Sequence, residues 1–168
     1  MEEILNAAAF AIRPAAPQDA DGIARLFLES AEYHARLDPE RYSIPQLLAI
    51  SARYRDELQR PSGDKTLTLV AEFDGEIAGF IEARLERSPD AMHREMIYCH
   101  VAEIAVSSHH QNHGVGGRLL QAVEEWGRQQ DAEFASLEFH TANELASSFY
   151  RRMGYRSAAI TAIKRLES

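Results

Sequence analysis

Two neighbouring stretches of the chain alternate apolar and polar residues with the two-residue period of a β-strand. The apolar positions of the first are Leu67, Leu69, Ala71 and Phe73, and those of the second are Ile77, Gly79, Ile81, Ala83 and Leu85. Between them lies Asp74-Gly75, and an Asp-Gly pair between alternating runs is a strong marker of a hairpin turn. The pattern predicts a β-hairpin, followed by a third strand at about 95–106.

Apolar residues with helical spacing predict the helices. After a short first strand at 10–13, Asp19 is the expected N-cap of a helix with an apolar stripe, and a second helix is expected at 45–58. From Gly114 onward another helix carries its apolar residues on one face. The stripe of the first helix is Ile23, Phe27 and Ala31, and that of the later helix is Val115, Leu119, Ala122, Val123 and Trp126.

The C-terminal part predicts a strand, a helix and a closing strand. Residues 134–140 alternate as a strand, and residues 159–166 are expected to form the last one. Between them a helix carries Ala146, Phe149, Tyr150 and Met153, with Thr141 and Glu144 in a capping box and Gly154 at its C-terminal cap. The predicted order is β-α-α-β-β-β-α-β-α-β, a mixed α/β (α+β) fold on one sheet. A chain of 168 residues fits a single domain spanning 1–168.

Composition narrows the class of protein. Hydrophobic residues make up 45% and charged residues 26%, which is typical of a soluble globular protein. Without a basic start or a long apolar run, we expect a cytoplasmic protein. Cys99 is the sole cysteine, which excludes an intramolecular disulfide and a cysteine-based zinc site. A net charge of −8 argues against nucleic acid as a partner and is compatible either with solubility alone or with a cationic substrate.

The segment between the third predicted strand and the third helix carries the candidate chemistry. A polar loop leads to glycines that open the helix, where unpaired backbone amides favour an anion such as a diphosphate, with Arg118 adding charge. A Walker P-loop is excluded because its Gly-x-x-x-x-Gly-Lys-Ser/Thr motif is absent. A dinucleotide site would use Gly114, Gly116 and Glu138, but Leu119 stands at the third glycine position. A purely structural turn is the remaining interpretation.

Three histidines in this loop, His109, His110 and His113, raise the question of a metal site. No acidic residue lies at ligand spacing beside them, and the loop is already used by the anion-binding interpretation. We therefore expect no metal.

Two linked motifs resemble those of the GCN5-related N-acetyltransferase (GNAT) superfamily. Gln111-Asn112-His113-Gly114-Val115-Gly116 resembles the Gln/Arg-x-x-Gly-x-Gly/Ala motif that grips the pyrophosphate of acetyl-CoA. The segment from Asn143 to Tyr155 resembles the Asn…Ala…Phe-Tyr…Gly-Phe/Tyr element of the same family. The resemblance covers about 10–166 and implies a single mixed sheet with helices on both faces.

The resemblance implies that acetyl-CoA is the co-substrate. The fourth and fifth strands of this family splay apart to admit it, and the loop amides hold its pyrophosphate. The residues so implied to bind it are Ile104, Ala105, Val106, Gln111, Asn112, His113, Gly114, Val115, Gly116, Gly117, Arg118, Asn143, Ser147 and Tyr150.

The resemblance also implies direct attack of an amine on the thioester, which requires a base for the amine and an acid for the thiolate. Tyr150 matches the acid tyrosine. His100 and Glu138 match base positions of different family members, and Glu138 precedes Tyr150 by twelve residues as in ribosomal-protein alanine acetyltransferases. On a regular fifth strand Glu138 faces the cleft, so we expect it to contribute more than His100. Glu103 points away from His100 unless a bulge reverses it.

The acceptor is an amine of a small molecule or of a protein, and the sequence does not identify it. The region that walls the acceptor side in this family contains Tyr33, His34, Asp38, Pro39 and Tyr42. No membrane partner is expected, and a homodimer is compatible with the sequence. Two other classes are considered: a catalytically silent acyl-CoA-binding sensor of the same fold, and a dinucleotide-binding oxidoreductase.

Overall fold

A computed structural model describes residues 10–60, 63 and 65–166. The chain divides into two compact units, one ending at Glu138 and one beginning at Phe139, which are described separately. The strands of the first unit are β1 (Ala11–Pro14), β2 (Thr66–Phe73), β3 (Glu76–Arg87), β4 (Ile97–Val106) and β5 (Phe134–Leu137). Its α-helices are α1 (Ala20–Leu37), α2 (Leu47–Gln59) and α3 (Val115–Gln129), and the second unit contains α4 (Glu144–Arg152).

The five strands form one sheet in the order β1-β2-β3-β4-β5. Neighbouring strands are antiparallel except β4 and β5, which are parallel. The hairpin predicted from Asp74-Gly75 is confirmed. Both residues have positive φ, 50° and 79° respectively, as the turn requires.

Helices cover both faces of this sheet, as expected. On one face Phe80 packs in a core cluster with Ile23 and Leu26 of α1 and with Tyr54 of α2. Gly79, the preceding residue of β3, faces α3, because a Cβ atom built on it would lie 3.2 Å from Leu119 Cδ1. The mixed α/β class and the single sheet are thus confirmed.

A β-bulge interrupts the pairing of β3 with β4. Glu82 pairs with Glu103, but the next residue of β3, Ala83, pairs with Val101, so that Ala102 is the extra residue of β4. One extra residue reverses the alternation of side chains beyond it. His100 and Glu103 therefore lie on the same face of the sheet, which the sequence predicts only for a strand that contains a bulge.

Several predicted boundaries are corrected. Strand β5 ends at Leu137 instead of 140, and β4 begins at Ile97. The closing strand at 159–166 is a wrong prediction: these residues form no regular element, and Ile160, Ile163 and Leu166 are exposed. A strand needs a hydrogen-bonded neighbour, and the second unit, over residues 139–166, contains no strand to provide one.

The helix caps are also corrected in part. The N-cap of α4 is Asn143, whose side chain accepts from the Ala146 amide at 3.0 Å, so the capping box expected at Thr141 is wrong. Asp19 occupies the N-cap of α1 but does not cap it with its side chain. Gly154 has φ of 90°, the left-handed conformation expected of the glycine after a helix. No helix in the described ranges has both the length and the apolar composition needed to cross a bilayer.

Candidate active site

Strand β4 extends beyond its parallel partner. The pairing with β5 covers Tyr98 to Val101 and ends there, whereas β4 continues to Val106 and remains paired with β3 on its other edge. The bulge at Ala102 lies where this pairing stops. The backbone of Ile104–Val106, implied by the family resemblance to bind the pantetheine arm, thus borders an edge without a paired strand in the described structure.

A short loop then leads into α3. A turn of 3₁₀ helix at Ser108–His110 is followed by positive φ at Asn112 (64°) and at Gly114 (77°). Gly114 is the N-cap of α3 and provides no side chain to cap it. The first amides of the helix therefore lack a side-chain acceptor from the N-cap, and the helix dipole adds positive potential there. This donor set fits a diphosphate.

Side chains around the loop hold it in place. Gln111 Nε2 donates to the carbonyl of Val106 at 3.3 Å, which ties the loop to the end of β4. Arg118 Nη1 donates to the carbonyl of Phe10 at 2.7 Å, so this guanidinium, expected to add charge for the cofactor, also anchors α3 to the start of the chain's first strand.

The three loop histidines have different surroundings, and His109 is exposed. His110 contacts the rings of Phe10 and Phe73, with centroids 5.6 and 5.9 Å away. The Nδ1 atoms of His110 and His113 are buried and have no hydrogen-bond partner within 10–60, 63 and 65–166. Among the described residues, no three His, Cys, Asp or Glu side chains gather as metal ligands.

The two predicted bases have different surroundings. His100 is half-buried, and its Nδ1 lies 3.1 Å from Ser136 Oγ across the β4–β5 pair. Glu138 is exposed and follows the last residue of β5. The alternation that was expected to turn Glu138 toward the cleft ends with the strand.

Glu103 lies in a setting that the sequence did not reveal. It is half-buried beside Glu82, its partner across β3 and β4. Burial first, and then the charge of Glu82, raises the pKa of Glu103 to about 7. Burial also raises the pKa of Glu82. The sequence contained no signal for the Glu82–Glu103 pair. Its allowance for a bulge concerned only whether Glu103 and His100 share a face.

The second unit contains three more predicted residues. Asn143 caps α4, and Ser147 Oγ accepts from Arg151 at 3.5 Å. Tyr150 is 8% exposed and packs among three aromatic rings. The ring centroids are 5.3 Å from Phe139, 5.2 Å from Phe149 and 5.9 Å from Tyr155. This packing fixes the Tyr150 ring, as a proton donor in a catalytic site requires.

Aromatic residues lie in the last turns of α1 and just after it, in the region expected to face the acceptor. The His34 ring lies 6.0 Å from the Tyr33 ring and 5.3 Å from that of Tyr42. Arg36 and Arg41 lie over Tyr33 and Tyr42 respectively, at 5.8 and 5.6 Å. These three rings and two guanidinium groups thus form one cluster of aromatic and cationic side chains.

Comparison with known proteins supports the family resemblance and the fold. The model of the acetyltransferase (GNAT) family matches residues 22–155. The uncharacterized N-acetyltransferase YhfO of Bacillus subtilis is 29% identical over 144 residues, covering 86% of this chain and 88% of that protein. The crystal structure of a single-residue mutant of the BH1408 protein from Bacillus halodurans has a TM-score of 0.84 at 21% identity, over 94% of this chain and 99% of that one.

A structure of AAC(6')-Iy in complex with a bisubstrate analog, CoA-S-monomethyl-acetylneamine, has a TM-score of 0.67 at 17% identity and covers 95% of this chain and 99% of that one. At this identity the likeness concerns the fold. The family model, however, spans most of the chain and both motifs. The protein belongs to the acetyltransferase (GNAT) family.

Proposed function

We propose that this protein transfers the acetyl group of acetyl-CoA to a primary amine, which attacks the thioester directly. Family membership supports acetyl transfer in general, and the matched region, 22–155, includes residues of both compact units. We therefore also propose that 1–168 act as one catalytic domain, in the cytoplasm.

The observation that carries the proposal is the junction of β4 with α3. The N-cap of α3 is a glycine without a capping side chain, and the last residues of β4 border an edge beyond the β5 pairing. The amides of Gly114–Gly117 would hold the pyrophosphate, and the backbone of Ile104–Val106 would hold the arm that carries the thioester. When bound, acetyl-CoA supplies an activated acyl group.

The chain's own residues must then move two protons. An alkylamine is mostly protonated at neutral pH and must lose a proton before its nitrogen can form a bond to the acetyl carbon. His100 is the better supported acceptor of that proton, because it is half-buried and oriented by Ser136, whereas Glu138 is exposed. As the carbon–sulfur bond breaks, Tyr150 would give its hydroxyl proton to the departing thiolate.

The net charge of the protein and the ligand of one similar structure support an amine as the acceptor. The net charge of −8 favours a cation over an anion near the protein. AAC(6')-Iy was solved with an analog that joins CoA to acetylneamine. We propose a small-molecule or protein amine as the acceptor, with neither nucleic acid nor membrane as a partner.

The test has two stages. Thermal unfolding with acetyl-CoA, CoA or NAD comes first, since a ligand at 100 times its dissociation constant stabilises by about 2.7 kcal/mol. Stabilisation by acetyl-CoA and not by NAD is expected, and the absence of any shift at millimolar acetyl-CoA would overturn the assignment. Amine-dependent release of CoA, measured over a panel of amines, then separates an enzyme from a silent sensor, which would bind acetyl-CoA without turnover.

A further inference from the structure

Two carboxylates face each other on the face of the sheet that α1 and α2 cover. Glu82 of β3 and Glu103 of β4 are directly paired across the strands, and both are half-buried. Like charges directly opposite each other destabilise a sheet. They share their face with Phe80, because Phe80 and Glu82 are two residues apart on β3.

A buried hydroxyl without a partner lies beside this pair. Tyr54 of α2 is 1% exposed, and its ring packs on that of Phe80 with centroids 5.7 Å apart. Its hydroxyl oxygen makes no hydrogen bond with any residue that the structure describes. Burial raises the pKa of the Tyr54 hydroxyl, and the charges of Glu82 and Glu103 act on it in the same direction. Buried hydroxyls rarely lack a partner, so this observation points to a missing ligand independently of the acidic pair.

We propose that Glu82, Glu103 and Tyr54 form the subsite for the ammonium group of the acceptor. A primary ammonium has three N–H donors and no acceptor, and two carboxylates with one phenol oxygen provide three acceptors. The cation also relieves the repulsion between the two acids. This inference rests on the proposed acetyl transfer to an amine and specifies which amine is accepted.

The surrounding charges define the substrate class further. Arg53 of α2 lies 4.4 Å from the centre of the Tyr54 ring and pairs with Glu57 at 3.6 Å. Arg84 of β3 pairs with Glu86 at 2.6 Å. Against the larger effect of burial, Arg53 lowers the pKa of both Glu82 and Glu103, and Arg84 lowers that of Glu82. Each guanidinium is shared with a second carboxylate, so the charge that the cluster presents to an incoming ligand stays negative. A carboxylate beside the ligand's amino group would be repelled, so the acceptor is an alkylamine cation and not an α-amino acid.

The affinity of the subsite for an ammonium group depends on pH, because Glu82 and Glu103 lose their charge when they are protonated. The charged and titratable groups around the Glu82–Glu103 pair are Arg84 on β3, Arg53, Tyr54 and Glu57 on α2, and His100, which shares the face of Glu103 on β4. A protonated carboxyl loses the charge that attracts the ligand, so binding weakens as pH falls through the pKa of Glu103, which is about 7. Glu82→Gln removes a charge that raises that pKa, so the midpoint of this loss moves to lower pH.

Ligand-observed NMR with the CoA-saturated protein tests the subsite without relying on turnover. The probes are pentylamine, norleucine, which adds a carboxylate to the carbon bearing the amino group, and norleucine methyl ester, which masks it. We expect pentylamine and the ester to bind and norleucine to bind at least ~10-fold more weakly, the range of a lost or gained charged contact. Equal binding of norleucine, or no binding of pentylamine, overturns the proposal.

Substitutions in the three residues of the subsite test whether the amine binds there. Glu82→Gln and Glu103→Gln should each weaken pentylamine binding by ~10-fold or more, and Tyr54→Phe by a smaller factor. Glu95→Gln removes the same charge from a side chain that is 88% exposed, and should leave binding unchanged. Thermal unfolding shows whether each variant is folded. If a glutamine variant does not fold, Tyr54→Phe still tests the subsite, because it keeps the ring and its packing.

Two further outcomes separate the subsite from the proposed reaction. Amine binding that depends on Glu82 and Glu103 without any acetyl transfer would support the subsite and refute the proposed function. Acetyl transfer with the same amine affinity in all variants would support the function and overturn the subsite. In the active protein the glutamine variants should raise the KM for the amine more than they lower kcat.

Discussion

His100 Nδ1 and Ser136 Oγ lie 3.1 Å apart, which joins the parallel strands β4 and β5 through their side chains. The contact occupies one ring nitrogen and leaves Nε2 as the atom for exchanging a proton. A side chain oriented in this way has the fixed geometry that general base catalysis needs.

The first prediction follows from this contact. His100→Gln should lower kcat by ~10²-fold or more, because a positioned base typically contributes that much, and Glu138→Gln should change it little. Rates against pH with one good amine substrate measure both effects. Ser136→Ala should give an intermediate loss, since it frees the imidazole without removing it.

The opposite result would assign the general base to a different residue. A large loss in Glu138→Gln alone would assign the base to Glu138 despite its exposure, in agreement with the expectation from the sequence. Near-wild-type rates in all three variants would mean that the amine loses its proton to water.

The second prediction concerns the start of α3. Gly116→Val places a branched side chain at the first helical turn, where the pyrophosphate is expected to meet the backbone amides. We expect CoA to bind ~10- to 100-fold more weakly, the equivalent of about one charged hydrogen bond. Isothermal titration with CoA measures the change.

A matched variant on the same helix controls for the new side chain. Gln121→Val introduces valine at an exposed position of α3 and should leave CoA affinity unchanged. Normal CoA binding in Gly116→Val would show that the glycines serve only the turn.

The third prediction tests the acid. Tyr150→Phe keeps the ring that packs against Phe139, Phe149 and Tyr155, so the fold should be retained. Loss of the hydroxyl should lower kcat by ~10²- to 10⁴-fold with little change in the KM for acetyl-CoA. Tyr155→Phe removes a hydroxyl from a neighbouring ring and serves as the control. An unchanged kcat in Tyr150→Phe would mean that the thiolate leaves without this donor.

Local patterns were enough to predict much of the fold. The hairpin at Asp74-Gly75 and the glycine at the start of α3 were correct because one or two residues determine their backbone. The closing strand at 159–166 was not, because strand formation depends on a partner that the segment's own sequence does not describe.

The candidate site was harder to predict from the sequence, because it also depends on how separate segments of the chain pair and pack. The pairing of Glu82 with Glu103 depends on the register between β3 and β4, which alternation within either strand cannot show. The one-residue shift beside the pair places His100 on the same face. The orphan hydroxyl of Tyr54 depends on how α2 packs on the sheet. The position of Gly114 at the start of α3 could be predicted directly, because the spacing of the motif carries that signal.

The fourth prediction concerns packing between α3 and the sheet. A Cβ atom at Gly127 would lie 2.7 Å from Cβ of Cys99 and 3.1 Å from its sulfur, both too close for ordinary contact. Gly127→Ala should therefore lower the free energy of unfolding by about 1–3 kcal/mol, the usual cost of overpacking. Urea unfolding measures it, with Gln121→Ala at an exposed site of the same helix as the control. Equal stability of the two variants would show that α3 shifts without cost.

The last prediction concerns Asp19, which is 5% exposed and joins β1 to the start of α1. Its carboxylate accepts from Arg13 at 2.7 and 2.9 Å and from the Ala16 amide at 2.8 Å. The hydrogen bonds from Arg13, ahead of the cost of burial, lower the pKa of Asp19. Because this pKa is below the value of about 3.9 in an unfolded chain, the carboxylate stabilises the fold fully above about pH 4.

That stabilisation is lost as pH falls through the lowered pKa of Asp19. Asp19→Asn should therefore lower the free energy of unfolding by about 1–3 kcal/mol at pH 7, the usual range for a lost charged hydrogen bond, and the difference from wild type should shrink below about pH 4. Urea unfolding from pH 3 to 7 measures it. Asp74→Asn, at an exposed turn residue, should show no such dependence. A difference between Asp19→Asn and wild type that is constant across this range would mean that Asp19 acts through packing and not through its charge.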